Sequence, residues 1–208
     1  FLNLSRALTT FIKRKAGMRG VIFDCFGVLC GSSFEVLAAK CQPERVKELR
    51  DLNTQADYGY ISSAEYVRGV AAVLGWTIDE VRATLKQARV RNESLITYVK
   101  QLHADGIPLA LLSNVSSGTL DGLFAPGELD DMFDVKILSF AEGLAKPNPA
   151  VFTLAVERLG MPAGDCVMVD DKPENCDGAE VAGLASILHT SNAQTMAAVQ
   201  AWLEAAHA

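Results

Sequence analysis

Five short apolar runs punctuate the chain: VIF (21–23), PLALL (108–112), VKIL (135–138), CVMV (166–169) and ASIL (185–188). Between the last four, hydrophobic positions recur every three or four residues instead. Short continuous runs predict strands buried on both faces, and the longer period predicts helices. The stretch NPAVFTLAVERLG shows the helical pattern with its punctuation, Asn148 as cap, Pro149 at the first helical position and Gly160 as the stop. Strands alternating with helices predict an α/β fold, a parallel sheet covered on both faces.

The long stretch between the first two runs breaks this alternation and contains nothing strand-like. PERVKELRDL spaces Val46, Leu49 and Leu52 for one helical face. ISSAEYVRGVAAVLGW offers a capping box of Ser62 with Glu65 and a staple of Ile61 on Tyr66; WTIDEVRATL repeats both devices with Thr77 and Glu80, and Trp76 and Val81. The pattern predicts an inserted helical bundle over residues 33–96, with CGSS and RVRNES as its junctions. Residues 18–32 and 97–208 then form the α/β core, and residues 1–17 a basic N-terminal extension.

Composition changes this picture only in detail. Half of the 208 residues are hydrophobic and 21% are charged, as in an ordinary globular protein. No apolar run reaches the roughly 18 to 20 residues that a membrane-spanning helix needs. The net charge of −6 is uneven: Arg6, Lys13, Arg14, Lys15 and Arg19 stand in an acid-free segment, leaving −11 on the remainder. So acidic a body argues against nucleic acid as a partner. The basic segment, with Leu8, Phe11 and Ile12 on one face, reads as a docked extension; a transit peptide or a membrane-surface helix shares its pattern. Five cysteines without a CxxC pair predict reduced thiols and a cytoplasmic location.

Candidate chemistry follows the strands. Asp24 follows the first run, Ser113 and Asn114 the second, Asp170 and Asp171 the fourth, and Lys146 lies in the loop after the third. In an open parallel sheet ligands bind beyond the carboxyl ends of the strands, so four loops bring these groups to one rim. Taken singly, each has a plainer reading: turn or helix caps for the aspartates, a turn for Ser113-Asn114, a solvated lysine for Lys146. Together, three carboxylates at one rim repel one another unless a cation sits among them. An oxygen-rich site with few protein ligands suits Mg²⁺.

With VIFDCFGVL, LLSN, AKPNPAVF and VMVDDKPENCDGA in this order, the chain resembles the haloacid dehalogenase (HAD) superfamily over residues 20 to 190. The helical insertion is similar to the cap of the subfamily that carries one after its first motif. The resemblance implies a Rossmann-like core and a phosphatase-like hydrolase. It implies Asp24 as nucleophile and Ser113 and the Asn114 backbone N–H as donors to phosphoryl oxygens. Lys146 would pair with Asp24 and with the phosphoryl group. Asp24, Asp170, Asp171 and the Phe26 carbonyl would form the Mg²⁺ site, with Gly27 permitting the turn beside the nucleophile. One position departs from the family: a second aspartate, acting as general acid and base, is expected where Phe26 stands.

Three functions fit these residues. The first is a Mg²⁺-dependent phosphohydrolase of a small phosphorylated metabolite, working without the second acid. The second is a 2-haloacid dehalogenase, whose attack on carbon needs no such acid, although Asp170 and Asp171 would burden a metal-free nucleophile. The third is a non-catalytic module binding a phosphorylated ligand or a partner. Tyr58 and Tyr60, in DYGYIS, are candidates for substrate contact by composition alone.

Overall fold

The computed structural model describes residues 18–205, so the N-terminal extension expected over residues 1–17 lies outside the described residues. Strands Gly20–Phe23 (β1), Leu109–Ser113 (β2), Val135–Leu138 (β3), Cys166–Asp170 (β4) and Ala185–Leu188 (β5) form one parallel sheet in the order β3-β2-β1-β4-β5. Val21 pairs with Leu109 on one side and Val167 on the other, so β1 is central. The three inner strands are buried throughout, as their apolar runs predict; β3 and β5, at the edges, are not.

Alternation along the strands divides the core into two layers. Val21, Phe23, Leu109, Leu111, Val167 and Val169 face one side, against Leu95, Val99 and Leu102 and against Val199. Ile22, Ala110, Leu112 and Met168 face the other, against Val151, Phe152, Ala155 and Leu159.

A third cluster lies outside the sheet, within helices Ser33–Ala38 (α1), Val46–Asp57 (α2), Ser63–Leu74 (α3) and Ile78–Ala88 (α4), and gathers Leu37, Leu49, Tyr66, Val70, Val81 and Leu85. Both capping boxes form, Ser62 with Glu65 and Thr77 with Glu80. Ile61 and Trp76 pack against the same cluster. Helix Glu93–Ala104 (α5) begins inside the stretch assigned from sequence to the insertion, yet its Leu95 and Ile96 pack on the sheet. Their apolar faces match the sheet layer, and the chain passes between the layers at residues 89–92.

The remaining helices are Ser139–Glu142 (α6), Pro149–Leu159 (α7), Pro173–Val181 (α8) and Asn192–Glu204 (α9). Serine hydroxyls fasten the helical layer to the sheet layer. The Ser139 hydroxyl donates to the Asp57 carbonyl and accepts from the Val115 N–H, and the Ser63 hydroxyl donates to the Ser117 carbonyl. Among the described residues no helix is long and apolar enough to cross a membrane. None of the five cysteines forms a disulfide among the described residues.

Candidate active site

The carboxyl ends of β1, β2 and β4 bring the predicted residues together. Asp24 leaves β1 with its N–H on the Val169 carbonyl, 2.9 Å away, so the neighbouring strand fixes its backbone. The chain then turns sharply: the Leu29 and Cys30 N–H groups both donate to the Cys25 carbonyl, and Gly27 adopts φ +93°. A side chain is strained at that angle, and the turn needs a glycine there. The Cys25 N–H donates to Asp24 Oδ1 at 2.6 Å, so the thiol's residue serves the carboxylate through its backbone.

Lys146 joins two of the acids. Its buried ammonium lies 2.8 Å from Asp24 Oδ1 and 2.6 Å from Asp170 Oδ2. Burial disfavours the charged lysine, but the charges of Asp24 and Asp170 outweigh it and hold its pKa above the ordinary value. The side chain of Asn114 fixes Lys146: Oδ1 accepts from the Lys146 N–H at 2.8 Å and Nδ2 donates to its carbonyl at 2.9 Å. Sequence reading assigned Asn114 a backbone role and did not find this clamp.

Asp170, completely buried at the end of β4, uses both oxygens. Oδ2 takes Lys146, while Oδ1 accepts from the Lys172 N–H at 3.0 Å and from Asn175 Nδ2 at 2.8 Å. Asn175 was not singled out from sequence, and its place within the fourth motif was the available signal; its amide is buried. The Lys172 contact is an Asx-turn two residues on, and α8 takes no side-chain cap from Asp170, so the helix-cap reading does not describe its role. Asp171 differs: its Oδ1 is buried with no hydrogen-bond partner among the described residues. Ser113, at the end of β2, is fully buried and its hydroxyl is likewise unpartnered. Buried polar atoms are normally satisfied, so two such orphans at one rim mark where a ligand's atoms belong.

Asp24, Asp170 and Asp171 each place one carboxylate oxygen within 4.8 Å of the others. Burial pushes the Asp24 pKa up to about 7; Lys146 opposes the rise, and the charges of Asp170 and Asp171 add to it. Asp171 is raised by burial and then by Asp170. This crowding, together with the orphaned Asp171 oxygen, fits a divalent cation among the carboxylates.

The rim opens into a cavity of about 770 Å³ between the two layers. Asp24, Phe26, Asn114, Lys146 and Asp171 line it from the sheet side, and Asp57, Tyr66 and Arg89 from the helical side. Tyr58 and Tyr60 are not among its lining residues; they stack on each other with ring centroids 5.6 Å apart, and Tyr60 is exposed. Asp57 was missed from sequence, where it is one acid among many on an amphipathic helix. Burial lifts its pKa to about 6, against the opposing charges of Lys172 and Lys146.

The family model for haloacid dehalogenase-like hydrolases matches residues 18–183. The chain is 25% identical over 181 residues to (S)-2-haloacid dehalogenase 2 of Pseudomonas sp. strain CBS-3, covering 78% of this chain and 79% of that protein. It is 26% identical over 186 residues to phosphoglycolate phosphatase of Pectobacterium atrosepticum, covering 82% and 79%. A HAD family enzyme of Bacteroides thetaiotaomicron has the same fold, with a TM-score of 0.70 at 20% identity over 85% of this chain and 95% of that one. That enzyme has also been solved with magnesium and inorganic phosphate, which superposes with a TM-score of 0.63 at 18% identity, covering 84% and 96%. With the four motifs meeting at the end of one parallel sheet and the family model spanning most of its length, the chain belongs to the haloacid dehalogenase-like hydrolases.

Proposed function

We propose that the chain is a Mg²⁺-dependent phosphohydrolase of a small phosphorylated metabolite, with Asp24 as its nucleophile. The observation that carries this reading is the cluster of Asp24, Asp170 and Asp171 around one point, with Asp171 Oδ1 lacking a hydrogen-bond partner among the described residues. Haloacid chemistry at carbon has no use for that concentration of negative charge. The phosphatase relative and the magnesium–phosphate complex of the Bacteroides enzyme agree with this choice.

In this reading an Asp24 oxygen attacks phosphorus, the ester P–O bond breaks, and the leaving oxygen departs with its electron pair. Water then attacks the aspartyl-phosphate at phosphorus, releasing inorganic phosphate and regenerating the Asp24 carboxylate. Lys146 neutralises Asp24 and offers its ammonium to the phosphoryl oxygens. The Ser113 hydroxyl and the Asn114 backbone N–H donate to the same oxygens, and Asn114 also holds Lys146 in place through its side chain. Asp24, Asp171 and the Phe26 carbonyl would hold Mg²⁺, with Asp170, whose oxygens are engaged, reaching it through water. When bound, the ion supplies positive charge that offsets the repulsion between carboxylate and phosphoryl group. Phe26 brings no proton, so the chemistry suits good leaving groups.

The test is phosphate release from 4-nitrophenyl phosphate with Mg²⁺ and its loss on chelation. Phe26 and the 25% identical dehalogenase favour a second reading, chloride release from a 2-chloroacid. Chloride without phosphate would replace the phosphohydrolase reading; neither product would leave a ligand-binding module.

A further inference from the structure

Arg89 stands on the helical side of the cavity, just after α4, and its guanidinium carbon lies 5.7 Å from the centroid of the Phe26 ring. Among the described residues its Nε is buried without a hydrogen-bond partner, and no carboxylate pairs with it. The groups whose charge reaches it are Tyr66 and the thiols of Cys25 and Cys30, and burial lowers its pKa. Arg89 is half-buried; drawing part of a guanidinium out of water without an anion is costly, and an anion arriving in the cavity would offset that cost.

The position of Arg89 is also held relative to the nucleophile. The Gly31 N–H donates to the Val90 carbonyl at 2.8 Å, and the Asn92 N–H to the Leu29 carbonyl at 2.8 Å. A bridge between Cys30 and Arg91 completes this short pairing. A Cβ on Gly31 would lie 2.2 Å from the Ala88 carbonyl oxygen, so the two segments run in direct contact. The stretch carrying Arg89 is therefore registered to the loop that begins at Asp24, while the Arg89 N–H, on the Leu85 carbonyl at 3.2 Å, also ties it to the end of α4.

We infer that Arg89 is a specificity-determining residue that receives a second anionic group, a carboxylate or phosphate, on the departing half of the substrate. The favoured class is phosphate monoesters whose leaving alcohol or phenol is itself an anion. Phe26 supplies an apolar wall between the reacting phosphoryl group and that second charge, and Arg89 ends the wall with a two-donor fork suited to carboxylate or phosphate. The inference rests on the phosphohydrolase reading for its choice of substrates.

The experiment compares 3-carboxyphenyl phosphate with its neutral amide counterpart, 3-carbamoylphenyl phosphate, in wild type, Arg89→Gln and Arg89→Lys. For the carboxylate, Arg89→Gln is expected to raise KM by roughly 10- to 100-fold, the size of a hydrogen bond to a charged group, with kcat little changed. The amide substrate should keep its wild-type KM, and Arg89→Lys should recover part of the loss. Arg89→Gln should also melt no lower than wild type, because an unpaired charge has been removed; Arg89→Met, which keeps the bulk of the stem, provides the same comparison if the glutamine variant folds poorly. Binding of 3-hydroxybenzoate, measured by thermal shift, provides a readout without turnover: stabilisation of wild type, lost in Arg89→Gln, supports the inference. Equal losses on both substrates, unchanged KM for both, or 3-hydroxybenzoate stabilising the variant as well as wild type would overturn it. Failure of wild type to hydrolyse either ester refutes the phosphohydrolase reading instead, and the 3-hydroxybenzoate shift then decides on Arg89 alone.

Discussion

A methyl group placed on Gly27 would lie 2.1 Å from Oδ2 of Asp171. The turn after the nucleophile therefore packs directly against the acid that follows β4, and φ of +93° at Gly27 permits the approach. Gly27→Ala should displace Asp171 and strain the turn, at a cost of about 1–3 kcal/mol in stability. Turnover should fall with it, and higher Mg²⁺ should be needed for half-maximal activity. Urea unfolding and a Mg²⁺ titration of the rate check both effects; unchanged values would mean the loop opens freely.

Asp24→Asn should abolish turnover with the fold intact, because the amide keeps the shape of the carboxylate and cannot form the acyl phosphate. Lys146 would keep Asp170 as its partner. The variant should also melt at least as high as wild type near pH 8, since one crowded charge is gone. Wild-type activity in a purified Asp24→Asn sample would refute the nucleophile assignment.

The acids of the cavity set the sign of a pH effect. Asp24 titrates at about 7 and Asp57 at about 6, both raised by burial from an ordinary value of 3.8. A raised carboxylate pKa means the folded state binds the proton more tightly than the unfolded state. The associated stability is present in full below the ordinary carboxylate range and is lost as pH rises through the folded values. Metal-free protein should thus melt lower at about pH 8 than at about pH 5, and added Mg²⁺ should raise Tm more at the higher pH. Calorimetry at both pH values, with and without Mg²⁺, is the measurement; an equal Mg²⁺ shift at both would contradict a cation among these carboxylates.

Without an acid at position 26 the departing oxygen leaves with nearly a full negative charge. Esters of acidic phenols and acyl phosphates should outrun alkyl phosphates by a wide margin. Phe26→Asp should speed alkyl esters by up to roughly 10²-fold, within the range of general acid catalysis, and activated esters little. Phe26 packs against the sheet-side core, so melting temperatures must accompany the rates. Equal wild-type rates on alkyl and aryl esters, with chemistry limiting, would show that another group gives the proton; Asp57, across the cavity, would be the first to substitute.

Local signals in the chain specify its elements and the end of the sheet at which the candidate residues gather. Apolar runs such as CVMV and caps such as Asn148, Ser62 and Thr77 are local signals, because the forces that write them act within one turn or one strand. The residues Asp24, Ser113, Lys146, Asp170 and Asp171 were legible for a related reason: each follows a strand or lies in the loop after one, and parallel strands all end on the same side. Tertiary structure decided the rest. Only the strand order sets β2 and β4 on either side of β1, and so allows Lys146 to bridge Asp24 and Asp170 while Asn114 clamps Lys146. Tyr58 and Tyr60 show the limit of composition, since nothing in DYGYIS tells that the rings stack on each other away from the cavity. Arg89 and Asp57 show it from the other side. Each looks like an ordinary charge on an amphipathic helix, and each acquires its character only when a second layer, distant in the chain, takes water away from it.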